Sequence, residues 1–426
     1  MTEGPNASLN ARRAVEALRA GVPNRDAVEG LGFESDELLG AFDTRLTELR
    51  SSVDEDRQPR GLLLAGEFGA GKSHALEYLA HRALKRSVAV SKVVVSKETQ
   101  LFDPAKVMRA AIESLQVPDR TGDALAEIAL NKLDPRSQQV AELFLWLSGS
   151  SLNSRFAATV WLYQNGGINP DLHNRLVSFW SGGPLAVGQV RSDLRALGQT
   201  GTFKLEGIKA KDLARQRFQF IARLLHAAGY KGWLILIDEL ELIGRYSVLQ
   251  RGRSYAELAR LLGLVDDDHA AGLTVVGGIT PDFSSAVIRG KDDVNQINFK
   301  FRSRAGDGPL TANLAERAMD EIERSLHRLP EPDQARLRRT HANLVEVYAT
   351  AYGSYAADDA ELTLRPGWQM REYVRGWITA SDLHRLDPSY HPDLVVDRIL
   401  TEYTEDELLQ APTEADEDNG AAGSEA

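Results

Sequence analysis

The 426-residue sequence contains no cysteine, which removes disulfide bridges, thiolate metal sites and a cysteine nucleophile from consideration. Long apolar runs are also missing. None approaches the roughly 20 residues needed to span a bilayer, and the opening MTEGPNASLNARR lacks an apolar leader. A soluble, cytoplasmic protein with no membrane partner is expected. Lysine is scarce, with 12 Lys against 38 Arg, so a lysine in a special setting carries weight. The nine His include no pair at metal-ligand spacing, and no loop around Ser284 and Ser285 suits acyl transfer.

The formal charge of −11 argues at first against a polyanion binder. That charge is unevenly placed. Residues 401–426 hold nine acidic and no basic side chains, leaving residues 1–400 at −2. This last stretch, with little apolar mass, is expected to be a disordered acidic tail.

Along the chain, residues 1–10 look frayed, and helical spacing follows near 11–20, 25–31 and 35–53. A polar linker, DEDRQPR, closes this N-terminal helical segment at about residue 55. The pattern then changes to a short apolar strand at 62–65, a glycine-rich turn, a helix over 73–85 and a β-branched strand at 88–96. Strand, loop, helix, strand opens an α/β domain with a parallel sheet, spanning 56–305. Further apolar strands are expected at 234–237 and 273–279, with a helix over 209–228 before them. Residues 148–206 are rich in Gly and Ser and read as an insertion. Beyond about 305 no such strand is expected, and 306–400 reads as a helical C-terminal domain.

Gly66-Glu67-Phe68-Gly69-Ala70-Gly71-Lys72-Ser73 matches G-x-x-x-x-G-K-[ST]. Glycines in such a loop let several N–H groups turn inward and form a nest for phosphate oxygens, and the next helix adds its positive end. These eight residues and the adjoining His74 are the expected ATP-binding set. Lys72 would contact the β- and γ-phosphates, and Ser73 would ligate Mg²⁺. Leu234-Ile235-Leu236-Ile237-Asp238-Glu239 delivers two carboxylates to a strand's carboxyl end, where a parallel sheet places its ligand. Asp238 would hold Mg²⁺, and Glu239 would act as general base on water. Glu241 reads as a helix-start residue.

The segments ARRAVEALRAGVPNRDAV, GEFGAGKSHALEYLA, WLILIDELE and RPGWQMREYVRGW together resemble the BREX-system ATP-binding family, BrxC/BrxD, nearer the short BrxD type. The resemblance implies an AAA+-like P-loop ATPase, distantly similar to origin-recognition ATPases, encoded with bacterial anti-phage defence genes. It implies ATP and Mg²⁺ as cofactors, self-assembly, action on double-stranded DNA and a helicase or nuclease partner encoded nearby. By similarity to AAA+ proteins, Thr280 resembles a sensor-1 residue; a strand-end threonine before Pro281 is the alternative. Arg371 resembles sensor 2 in a helical lid, for which a winged-helix-like fold is an alternative, because its fork can grip phosphate bidentately. Arg302 and Arg304 are candidates for a finger reaching a neighbour's nucleotide.

Nucleic-acid contact is a separate question. Arg336, Arg338, Arg339, Arg371, Arg375 and Arg385 can lie along a phosphate backbone or line a solvated helix face. In the insertion, Trp161, Tyr163 and Trp180 beside Arg155 and Arg175 suit either a partner contact or a small core. Two rivals to a DNA-directed ATPase stay open: a nucleotide-gated switch with little turnover, and a small-acceptor kinase, which the paired carboxylates disfavour.

Overall fold

The computed structural model describes residues 5–118, 120–121, 124–167, 169–265, 268–354, 362–387, 389, 402–406 and 409. Three helices come first: α1 (Pro5–Ala20), α2 (Arg25–Leu31) and α3 (Asp36–Ser51). Strand β1 (Leu62–Ala65), helix α4 (Lys72–Leu84), strand β2 (Ala89–Val94) and helix α5 (Pro104–Glu113) follow. A short antiparallel pair, β3 (Gln116–Val117) and β4 (Arg120–Thr121), precedes five helices. These are α6 (Ala124–Asn131), α7 (Gln138–Gly149), α8 (Ser154–Asn165), α9 (Pro170–Trp180) and α10 (Val187–Ala196). Then come α11 (Ala210–Ala227), β5 (Trp233–Asp238), α12 (Val248–Leu261), β6 (Leu273–Ile279), α13 (Asp293–Arg302) and α14 (Gly308–Arg324). Strand β7 (Leu326–Arg328) and helices α15 (Gln334–Tyr352) and α16 (Met370–Leu386) complete the order.

The sheet runs β4-β3-β2-β5-β6-β1-β7, and the five strands from β2 to β7 are mutually parallel. β5 and β6 read as continuous apolar runs because both faces are covered. Their side chains still alternate between two cores. Trp233, Ile235 and Ile237 face α5 and α11, whereas Leu234 and Leu236 join Leu38, Phe42 and Leu79 of α3 and α4. This is a P-loop NTPase-like α/β fold. β6 lies between β1 and β5, so the loop after β1 and the acidic end of β5 flank the end of β6.

Several expectations shift. Helix α1 already begins at Pro5, within the stretch expected to fray. A strand does occur after residue 305: β7 adds to the sheet beside β1, pairing Ala65 with Arg328. Leu314, Ala318, Met319 and Ile322 of α14 lie in the main core, so the α/β body extends to β7 and the lid begins at α15. That lid is not purely C-terminal. Ala14, Val15 and Leu18 of α1 and Leu31 of α2 share one core with Leu337, Leu344, Tyr373, Val374 and Trp377 of α15 and α16. Among its described residues the lid is helical and has no strand.

The insertion is no appendage either. The Tyr163 hydroxyl lies between the Ala129 and Leu133 carbonyls at 2.6 and 2.7 Å, and fully buried Trp180 donates to Thr159. Arg175 pairs with Asp193, and Phe156 stacks on Phe220 of α11. Trp161 packs partly buried against the same core, and Arg155 reaches the Glu206 carbonyl. The small-core alternative therefore describes this region. Of the acidic tail, residues 402–406 and Leu409 pack on the α/β body, contrary to the expected disorder; 407–408 and 410–426 lie outside the described residues. No helix among the described residues is long and apolar enough to cross a membrane.

Candidate nucleotide site

The end of β1 is tied to its neighbour by the Gly66 N–H donating to the Ile279 carbonyl at 3.1 Å. The loop then turns through two left-handed residues, Gly69 at φ +87° and Gly71 at φ +99°. A Cβ at Gly69 would also stand 3.1 Å from the Glu372 carboxylate, so this position requires glycine twice over. Gly71 caps the N-terminus of α4, whose free N–H groups face the loop.

Lys72 is buried. Its Nζ donates to the Gly66 carbonyl at 2.9 Å and pairs with Glu241 at 3.2 Å. Ser73 Oγ donates to Asp238 Oδ2 at 2.7 Å, while Asp238 Oδ1 accepts from the Glu239 N–H at 3.0 Å. These two residues, 165 positions apart, present a hydroxyl and a carboxylate oxygen side by side. Hard oxygen donors of this kind suit Mg²⁺, which commonly takes only one or two protein ligands and leaves the rest to water and phosphate.

Glu239 adopts a left-handed backbone, φ 62° and ψ 34°, unusual for a residue with a side chain. Such conformations cost on the order of 1 kcal/mol or more and cluster at functional sites. Burial, and then the neighbouring Asp238 charge, raises its carboxyl above the ordinary range; Lys72 and Arg371 partly offset this. Glu241 lies in the first turn of a 3-10 helix (Leu240–Arg245), as expected of a helix-start residue, but its setting goes further. It is buried, its Oε2 has no hydrogen-bond partner, and burial pushes its carboxyl up to about 7 despite Lys72. The D-E-x-E spacing was the sequence signal: a tight turn after Glu239 brings the second glutamate back toward the loop.

Thr280, one residue past β6, is buried, and its hydroxyl hydrogen-bonds the Tyr403 hydroxyl at 2.5 Å. Arg371 sits at the start of α16, where Gln369 and Glu372 form a capping box. Its N–H donates to the Gly69 carbonyl at 3.1 Å, and its guanidinium lies 4.8 Å from the Phe68 ring centroid. His74 Nε2 lies 2.8 Å from the Gly32 carbonyl. Burial lowers the affinity of this imidazole for a second proton, and a carbonyl only accepts, so the neutral ring donates through Nε2. Phosphate loop and lid thus touch at two points, one from each end of the chain.

Between them lies a cleft lined by Gly69, Gly71, Ser73, His74, Phe33, Arg336, Asn343 and Arg371. Apolar walls with a few fixed polar groups suit a nucleoside. Arg336 therefore faces the cleft, not an outer surface. Arg339 pairs with Glu34 at its rim, and Arg385 with Asp382. Arg338 and Arg375 are left exposed on α15 and α16, so the six arginines do not form one basic face. Arg302 and Arg304 stand at the exposed end of α13, Arg302 pairing with Glu316 at 3.6 Å.

Strand order, with the phosphate loop after β1 and the acidic end of β5, matches a P-loop NTPase-like α/β protein. The family model described as BREX system ATP-binding protein BrxC/D matches residues 8–143 and 148–364. The chain belongs to that family, whose members are ATP-binding proteins of an anti-phage defence system. No curated protein and no solved structure matches it.

Proposed function

We propose that the chain hydrolyses ATP with Mg²⁺ and uses the cycle to act on, or load onto, DNA during phage defence. The observation that carries the hydrolytic part is the convergence of Lys72, Ser73, Asp238 and Glu239 at one crevice, with Ser73 and Asp238 at 2.7 Å. The loop N–H groups and the α4 terminus bind the phosphates, and Lys72 leaves Glu241 to contact their oxygens. Ser73 and Asp238 would hold Mg²⁺, which when bound neutralises charge on the β- and γ-phosphate oxygens. Glu239, its proton affinity raised toward neutrality, accepts a proton from the attacking water. Arg371, already docked on the loop, closes the lid and adds positive charge.

The DNA part rests on family membership and on a folded body close to neutral, with Arg338 and Arg375 exposed on the lid. A homo-oligomer and a helicase or nuclease partner belong to the same reading. Steady-state ATPase assays with and without duplex DNA test it. Turnover that DNA stimulates and Glu239→Gln abolishes is expected. Tight ATP binding with negligible turnover under every condition would replace it with a nucleotide-gated switch, which the direct link between Arg371 and Gly69 also suits. DNA affinity unchanged between low and high salt would remove backbone contact.

A further inference from the structure

Residues 402–406 and Leu409 occupy a slot on the α/β body. The Tyr403 ring meets Phe283 edge-on at 6.0 Å and lies over Gly244, where a Cβ would approach it to 2.7 Å. Lys291 Nζ donates to both the Tyr403 and Gly244 carbonyls, the latter at 2.8 Å. Glu405 pairs with buried Arg251 at 2.9 Å, the Asp406 N–H donates to the Arg245 carbonyl at 3.0 Å, and Leu409 is buried. Ring, backbone and carboxylate are each matched by a separate partner on the α/β body.

What this slot does to Thr280 follows from counting protons. The Tyr403 hydroxyl donates to Asp282 Oδ1 at 3.0 Å. Burial raises the phenol well above its usual range, so the proton stays on it. A hydroxyl has one proton to give. The proton between Tyr403 and Thr280 must therefore come from Thr280, which is left with lone pairs as its remaining hydrogen-bonding capacity. The sheet register sets the level of Thr280 in the fold. Ile237 pairs with Gly277 and Ala65 with Ile279, so Thr280 stands level with Gly66, next to the turn that carries Glu239.

We propose that Tyr403 is a positioning residue that fixes Thr280 as a hydrogen-bond acceptor for the attacking water. Water between the two strand ends then gives one hydrogen to Glu239 and the other to Thr280, which turns its lone pair toward the γ-phosphorus. Freed from Tyr403, the Thr280 hydroxyl rotates and donates instead, and the water loses one of its two orienting contacts. This assignment rests on the hydrolytic reading above.

The test uses the full chain and measures kcat and KM for ATP. Tyr403→Phe keeps the ring on Phe283 and over Gly244 and removes only the hydroxyl; Thr280→Val removes the partner. Each is expected to lower kcat about tenfold, the effect of losing one hydrogen bond of ordinary net strength, with KM unchanged. The double variant is expected to match the worse single one, because the two hydroxyls act as a unit. A Tyr403→Phe enzyme within twofold of wild-type kcat overturns the proposal and leaves hydrolysis standing. So does a loss that multiplies in the double variant. Absence of turnover in the wild-type protein overturns both.

Discussion

The phosphate crevice and the lid are built by opposite means. In the crevice, a few charged and polar side chains are held at the ends of β1 and β5, with β6 between them: Lys72, Ser73, Asp238, Glu239 and Glu241 all lie at the carboxyl edge of one sheet. In the lid, two chain ends meet through apolar packing of α1 and α2 against α15 and α16, and polar ties to the loop are few. Rigid strands suit chemistry that tolerates little displacement. An apolar bundle fixed at a few points suits an element that closes on its ligand. The difference suggests that lid damage will cost binding, whereas crevice damage will cost turnover.

The largest effect expected comes from the lid. Trp377 is nearly fully buried and meets His341 edge-on at 4.9 Å, so Trp377→Ala should cost about 3–5 kcal/mol of stability. Denaturant unfolding should show this, together with weakened ATP binding. Loss of turnover at saturating ATP with affinity intact would break the comparison.

Glu239→Gln is the complementary change. Turnover should fall by about 10²–10³-fold, within the span assigned to a general base or a charge-stabilising donor. Nucleotide affinity, measured by calorimetry, should stay within a few-fold of wild type.

Glu241 predicts a pH dependence. Its carboxyl lies near 7 in the folded chain against 4.5 as the ordinary value, so the folded state holds the proton more tightly than the unfolded one. The stability linked to this proton is fully present below about pH 4.5 and is lost as pH rises through about 7. The loss is on the order of 3 kcal/mol for a group this buried. In Glu241→Gln that component should vanish from the unfolding free energy measured between pH 5 and 8. Because bound phosphate takes Lys72 from this pair, ATP binding near pH 7.5 should also be accompanied by proton uptake in wild type but not in Glu241→Gln. Calorimetry in buffers of different ionisation enthalpy measures it.

The smallest effect expected is Arg371→Ala. Losing the guanidinium over Phe68 and its charge near the phosphates should weaken ATP binding about 5–10-fold, roughly 1 kcal/mol. An unchanged affinity would mean that the lid closes without it.

How legible this was depended on the range of the interaction. Loop, acidic strand end and the strand before Thr280 could be read directly, because each is a local pattern: glycines where φ must be positive, apolar runs where both strand faces are covered. β7 escaped because three residues next to a long helix carry no periodicity. The insertion looked irregular because its apolar side chains answer to α11, not to one another. Tyr403 was the only aromatic in an acidic stretch, a sign of docking that charge counting obscured.

By itself, then, the sequence determined that this chain binds nucleotide phosphate and where it carries acid, since backbone conformation at glycine and strand burial are settled within a few residues. The tertiary structure alone decided which groups those residues meet. Lys72 faces Glu241, Arg371 faces Phe68, and Thr280 faces Tyr403, 123 positions away. Such pairs form because sheet order and the packing of two chain ends bring distant side chains within hydrogen-bonding range. Only the whole fold imposes that constraint.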